Sequence, residues 1–299
     1  MKKLLFMAVL LLTATLSEAQ MLKISPKMEK GLKHVYNQVT TTSLPMQEDA
    51  KITSTIEISV AEVLPDGFVI DYKMSNLKLD VDANNLAGRL MGMSTEMFAD
   101  NVISFKTDRE GKVTGIENFA EVKKKAEGMF DKIIETLFNE VPNIEQMMPK
   151  EQLRQQMLSS LTEQELTKSF LINSSVLNLN GKTIMTGAQD EYTTDQGLKM
   201  KRMYIVNGQQ IIASSTLNMS KDDIKQMIIA QVEKLMPAQA EMVKNNIDML
   251  INSDAMKLDG SEKATYDIAT DGWVKSLQTE FTSKIMGQTT KVANNITLK

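Results

Sequence analysis

His34 is the sole histidine in 299 residues, and the chain has no cysteine. Any imidazole chemistry would have to pass through that one ring, in a Val-, Tyr- and Thr-rich stretch that reads as a strand. A Ser-His-Asp triad needs supporting residues around its nucleophile, and neither G-x-S-x-G nor H-E-x-x-H occurs. One imidazole and no thiolate leave zinc without a ligand set. His34 therefore reads as a surface or edge residue. Asp80, Asp82 and Asn84 open like a calcium loop, but Asn85 stands at the glycine position and Met91 at the bidentate glutamate position. These are read as surface carboxylates. No glycine-rich phosphate cradle is present. With 38 acidic residues, a glycosidase-type carboxylate pair stays open. Against it, aromatic platforms for sugars are scarce, and the one tryptophan, Trp273, follows a glycine turn and reads as a core or rim anchor. The expectation is a non-enzymatic protein with no metal and no cofactor.

The clearest pattern lies in helices. From Ser220 to Asn252, apolar residues recur at Ile224, Ile228, Val232, Leu235, Val243, Ile247 and Leu250, one stripe of a helix interrupted at Pro237. Ser220 and Asp223 form a capping-box pattern at its start. Met227, Met236, Met242 and Met249 widen the apolar surface. A second stripe runs through Phe119, Val122, Ala126, Met129, Phe130, Ile133, Leu137 and Val141 and ends against Pro142. Methionine, with 23 residues, is abundant, and its flexible thioether suits either core packing or an adaptable lining for a greasy ligand. On the second reading Met129, Ile133, Leu137, Met227, Ile228, Val232, Met236, Val243 and Ile247 are the candidate ligand-binding residues.

Between the helices the period changes to two. Lys33–Thr42, Lys51–Leu64, Phe68–Val81, Val102–Lys106 and Lys112–Ile116 read as strands, with Pro65-Asp66-Gly67 turning a hairpin. Helical runs are expected at Glu151–Leu161 and, from a Thr162/Glu165 cap, near Phe170. Val176–Leu179, Lys182–Thr193, Leu198–Val206 and Gln210–Asn218 return to strands, with hairpin signals at Asn180-Gly181 and Asn207-Gly208. Lys263–Thr270, Trp273–Ile285 and Gln288–Leu298 close the chain. The fold class is α+β: a curved antiparallel sheet, a half-barrel, wrapped over amphipathic helices. Both halves carry antiparallel strands, proline-interrupted helices and a strand–turn–strand with Asp, Gly and Val. Either a duplication (about 20–161 and 162–299) within one domain or a common acidic–glycine turn explains this.

Residues 1–19 have the form of an export signal: Lys2 and Lys3, an apolar run Leu4–Leu12, and Ser17-Glu18-Ala19 before the expected cleavage. No later stretch is long and apolar enough to span a bilayer, and no cysteine follows for lipidation. The mature product is expected to be soluble, periplasmic or extracellular. A net charge of −4, with Lys123–Lys125 as the one basic run, argues against nucleic acid as a partner. The partner expected instead is a lipid or other apolar small molecule.

The signal ending at Ala19-Gln20, the strands, the Pro237 helix pair and the final Asp271-Gly272-Trp273-Val274 element resemble exported domain-of-unknown-function proteins of Gram-negative bacteria. More distantly, the layout resembles the lipoprotein-carrier and LppX-like superfamily. That resemblance implies acyl chains held between a half-barrel and its helices. It implies no functional residue, and the chain departs from the membrane-anchored members in lacking an acylation cysteine. The alternative is a structural or interaction protein of the cell envelope, with a fully packed interior and no ligand.

Overall fold

The computed structural model describes residues 20–299 except 46–47, 83, 85, 97–98, 195–196, 236–239, 253–257 and 286. The expected export signal thus lies outside the described residues. Eleven strands form one open antiparallel sheet, in the order β6-β5-β4-β3-β2-β13-β12-β11-β10-β9-β8. These are β2 (Lys33–Ser43), β3 (Ala50–Val63), β4 (Gly67–Asp80), β5 (Val102–Asp108), β6 (Val113–Ile116), β8 (Gln189–Thr193), β9 (Lys199–Asn207), β10 (Gln210–Leu217), β11 (Leu258–Ile268), β12 (Val274–Ile285) and β13 (Gln288–Leu298). Two further strands, β1 (Met21–Lys23) and β7 (Thr183–Met185), pair with each other. The α+β class and the curved sheet over helices are as the sequence predicts.

The hairpin signals work locally. β3 and β4 join at Pro65-Asp66-Gly67 and keep one buried face through Ile56, Ile58, Val60, Ile70 and Tyr72. β9 and β10 turn at Asn207-Gly208, where Gly208 takes a positive φ of 60°. Two sequential meanders result, and they meet in the middle, where β2 pairs with β13. β6 and β8 are therefore opposite edges, and residues 117–188 must cross a sheet about 50 Å wide if laid flat. This crossing segment carries the helices α2 (Phe119–Glu140), α3 (Ile144–Met147), α4 (Lys150–Ser159) and α5 (Glu163–Ser174). Helix α1 (Leu86–Glu96) lies between β4 and β5, and a helical hairpin, α6 (Lys221–Leu235) and α7 (Ala240–Asn252), between β10 and β11.

The main core lies under the crossing segment. Phe119, Val122, Leu166, Phe170 and Leu171 pack onto the buried face of the sheet. Phe170 meets the edge of Tyr72 at a ring separation of 4.7 Å and lies the same distance from Phe105. After α5 the chain does not pair as the Asn180-Gly181 signal predicts. Residues 176–181 form turns that bury Val176, Leu177 and Leu179, and Lys182–Thr193 splits into β7 and β8 around Gly187. A buried segment crossing a sheet face needs apolar side chains as a strand does, so composition alone does not separate the two.

Tyr36 of β2 is fully buried while Val35 and Val39 are half-buried, so Tyr36, Gln38 and Thr40 share the inner face. Tyr36 earns that place with a hydrogen bond, its hydroxyl donating to the Val274 carbonyl at 2.9 Å.

The helix starts follow the capping signals. Asp223 N–H donates to Ser220 Oγ at 3.1 Å while Ser220 N–H donates to Asp223 Oδ2 at 2.9 Å, a reciprocal box. Glu165 N–H donates to Thr162 Oγ1 at 3.2 Å at the head of α5. Replacing Ser220 by Ala should lower stability by about 1 kcal/mol, measured as a shift in the urea midpoint; an unchanged midpoint would mean that α6 frays without consequence.

Candidate functional site

A cavity of about 390 Å³ opens on the inner face of the second meander. Its floor follows from strand register. One row of facing residues runs Tyr204–Ala213–Ala264–Thr279–Asn294–Thr40 across β9, β10, β11, β12, β13 and β2. The next row runs Asp190–Arg202–Ser215–Glu262–Phe281–Val292 from β8 to β13. Alanine faces alanine at Ala213 and Ala264, and Ser215 and Thr279 stand beside them. Short side chains at these adjacent positions leave space that large ones fill elsewhere on the sheet. Ser175 and Asn178 of the crossing segment also line the cavity. Beneath α2 the gap among the described residues near Val122 and Ala126 is about 20 Å³.

The cavity is two-sided in character. Ala213, Ala264, Leu277, Phe281 and Val292 supply an apolar wall, and Arg202, Glu262, Tyr192 and Ser215 a polar one. The Tyr192 hydroxyl donates to Glu262 Oε2. Burial, reinforced by the Glu262 carboxylate, pushes the Tyr192 phenol up to about 12, so it stays a donor at neutral pH. Arg202 lies over the Tyr192 ring, 4.0 Å from its centroid, and donates from Nη1 to the Tyr204 hydroxyl at 3.1 Å. Tyr204 in turn donates to Asp190 Oδ2 at 2.8 Å. At the other side, Asn294 Oδ1 accepts from Gln38 Nε2 at 3.1 Å and Thr40 Oγ1 at 3.0 Å. Burial pushes the Tyr266 phenol up as well.

None of the described candidate residues lines this cavity. Ile247 is fully buried on α7, and Met227, Ile228, Val232 and Val243 are half-buried on the hairpin. Met236 and Pro237 lie outside the described residues. Met242 and Met249 are 62% and 76% exposed, on the far side of α7. Met129, Ile133 and Leu137 are half-buried on α2. That helix is tied to its neighbours by Arg154 on Asp131, at 2.7 Å, and by Arg89 on Glu140. The hairpin does reach the cavity's rim. Met227 lies against Gly197, whose N–H donates at 2.9 Å to Thr194, a lining residue. Lys199 pairs with Asp223 at 2.5 Å in the same place.

The cavity residues escaped sequence reasoning because their signal is an absence of bulk. Arg202 had a usable one: it shares strand parity with Met200, Tyr204 and Val206, all buried.

His34 packs its ring 4.7 Å from that of Trp273, and its Nε2 finds no hydrogen-bond partner among the described residues. Burial lowers its pKa, with Asp271 opposing in part. The unfolded chain then binds the proton more readily, so folding stability falls as pH drops below about 6.5 and levels off beneath the lowered native value. Urea midpoints at pH 7.5 and 5.5 should show this fall, and His34→Gln should remove it; an equal fall in the variant would assign it elsewhere. Among the described residues no three His, Asp or Glu side chains come close enough to hold a metal. Asp82 Oδ1 accepts from Asn84 N–H at 2.9 Å, a local turn. Glu262 is the one carboxylate among the cavity's lining residues.

No family model and no curated protein matches the sequence. A solved structure of lipovitellin, described by its lipid–protein interactions, overlays 91% of this chain with a TM-score of 0.38 and 9% identity. The chain spans 25% of the length of that protein. At this level the likeness assigns neither family nor ligand. No described helix is long and apolar enough to cross a membrane.

Proposed function

We propose that the protein is an exported, non-enzymatic carrier that holds an apolar or lipid-like molecule between its sheet and its helices, with residues 20–299 acting as one folded unit. The observation that carries this reading is the 390 Å³ cavity, of a size ordinary for small-molecule sites, with one apolar and one polar wall. Each methylene buried there would contribute about 0.8 kcal/mol. A guest longer than the cavity would pass Thr194 and lie on the half-buried stripe of Met227, Ile228, Val232 and Val243. The competing reading, an envelope interaction protein with a packed interior, fits the narrow gap beneath α2 but leaves the cavity without a purpose. Titration with a fluorescent fatty acid tests the proposal. Saturable uptake, displaced by the unlabelled acid, is the expected result; flat emission across the titration would overturn it.

A further inference from the structure

The polar wall of the cavity is unevenly satisfied. Arg202 projects from β9 on the buried face, and its side chain is only 12% exposed. Its charge is permanent. Its nearest counter-ion, Asp190, stands 3.8 Å from Nε, beyond hydrogen-bond range, and is itself 46% exposed. Asp190 already accepts from Tyr204. Of the five guanidinium donors, one on Nη1 is used, by the Tyr204 hydroxyl. Neither Nε nor Nη2 has an acceptor at hydrogen-bond distance among the described residues. A fork that lines the cavity with uncommitted donors fits a two-oxygen acceptor.

The surroundings narrow the choice. Glu262 across the same wall is engaged by the Tyr192 hydroxyl. A second cation belongs to the crossing segment itself: Lys182 donates from Nζ to Asn178 Oδ1 at 3.3 Å, and Asn178 lines the cavity. Burial, then the nearby Arg202 charge, lowers the Lys182 pKa, so the two cations share one neighbourhood. Ala264, Leu277, Phe281 and Val292 continue the cavity away from Arg202, beyond Glu262, which stands between Ser215 and Phe281 in the same row.

We propose that the guest is an amphiphile with an anionic head, a carboxylate or a phosphate, whose oxygens take the free edge of the Arg202 guanidinium while its chain lies along Ala264, Leu277, Phe281 and Val292. This rests on the carrier reading of the same cavity and gives it a ligand class.

Calorimetric titration with four ligands of one chain length, each below its micellar concentration, tests it: laurate, dodecyl phosphate, dodecanol and dodecyltrimethylammonium. Laurate or dodecyl phosphate should bind at least about ten-fold tighter than dodecanol, and whichever is stronger identifies the head. In Arg202→Met that ratio should fall to near one. Arg202→Lys, which keeps the charge and loses the fork, should give an intermediate ratio and serves if Arg202→Met does not fold by circular dichroism. Glu262→Gln should raise laurate affinity; a drop would point to a cationic or zwitterionic head and overturn the proposal. Equal binding of laurate and dodecanol, or a ratio that survives Arg202→Met, would also overturn it while leaving the carrier reading standing. Failure of all four ligands would instead overturn the carrier reading.

Discussion

Trp273→Ala should cost about 3–5 kcal/mol of folding stability, the largest single loss expected in the chain. Trp273 is the largest fully buried side chain. It also closes a seam. Its Nε1–H donates to the Lys27 carbonyl at 2.9 Å, and its own N–H donates to Asp271 Oδ1 at 3.1 Å. Lys27 N–H donates to the Asp271 carbonyl at 2.9 Å, and Gly31 N–H to the Val60 carbonyl at 2.9 Å. The segment before β2 is thereby laced to β3 and to the turn before β12. Ile24, fully buried beside it, exchanges backbone bonds with Gly181 and Lys182 at 2.9 Å each. The fit leaves no slack: a Cβ on Gly272 would stand 2.5 Å from the Ser25 carbonyl oxygen. Removing the indole leaves a void and leaves the Lys27 carbonyl without its donor, so cavity and hydrogen-bond terms add. A loss of that size is a large share of a typical domain's 5–15 kcal/mol. Circular dichroism across a urea series measures it, since the variant has no tryptophan to follow. A loss under about 1 kcal/mol would mean that the seam is dispensable.

Ala264→Phe should weaken uptake of an apolar ligand by about 100-fold, or about 2.8 kcal/mol, with a small effect on stability. Ala264 is in the middle of the cavity floor, opposite Ala213 on one side and Thr279 on the other. A phenyl ring there projects into the space the guest would fill. Overpacking usually costs about 1–3 kcal/mol because neighbours must move. Here the ring enters open volume, so the cost should lie at the low end. The urea midpoint and a ligand titration on the same sample separate the two effects. Undiminished uptake in a folded Ala264→Phe variant would place the guest elsewhere, with the half-buried hairpin stripe of Met227 and Val232 as the next surface to probe.

The sequence disclosed what depends on neighbours in the chain. Alternation defined β3 and β4, Asn207-Gly208 defined the β9–β10 turn, and Ser220 with Asp223 defined the start of α6. Each is a contact within a few residues. The pairing of β2 with β13, from Lys291 on Ser43 to Leu298 on Tyr36, joins the two ends of the chain and left no local trace. Nor did the role of Val176–Leu179, whose apolar run serves a crossing segment and not a strand. The candidate residues and the cavity do not coincide, for a related reason. Methionines on a helical stripe are conspicuous; Met227 is half-buried at the cavity's rim, while Met242 and Met249 are exposed on the far side of α7. The cavity itself is defined by Ala213, Ser215, Ala264 and Thr279, whose small size in a strand looks the same in a sequence whether it makes room or simply faces water. Arg202 was the one residue that parity with Met200 and Tyr204 could have marked as inward.

The account turns on whether that space is occupied in life. Mass spectrometry of organic extracts from freshly purified protein, wild type beside Ala264→Phe, asks this directly. The wild type should release close to one amphiphile per chain, and the variant little or none. The same amphiphile recovered equally from both proteins, or none from either, would contradict the account.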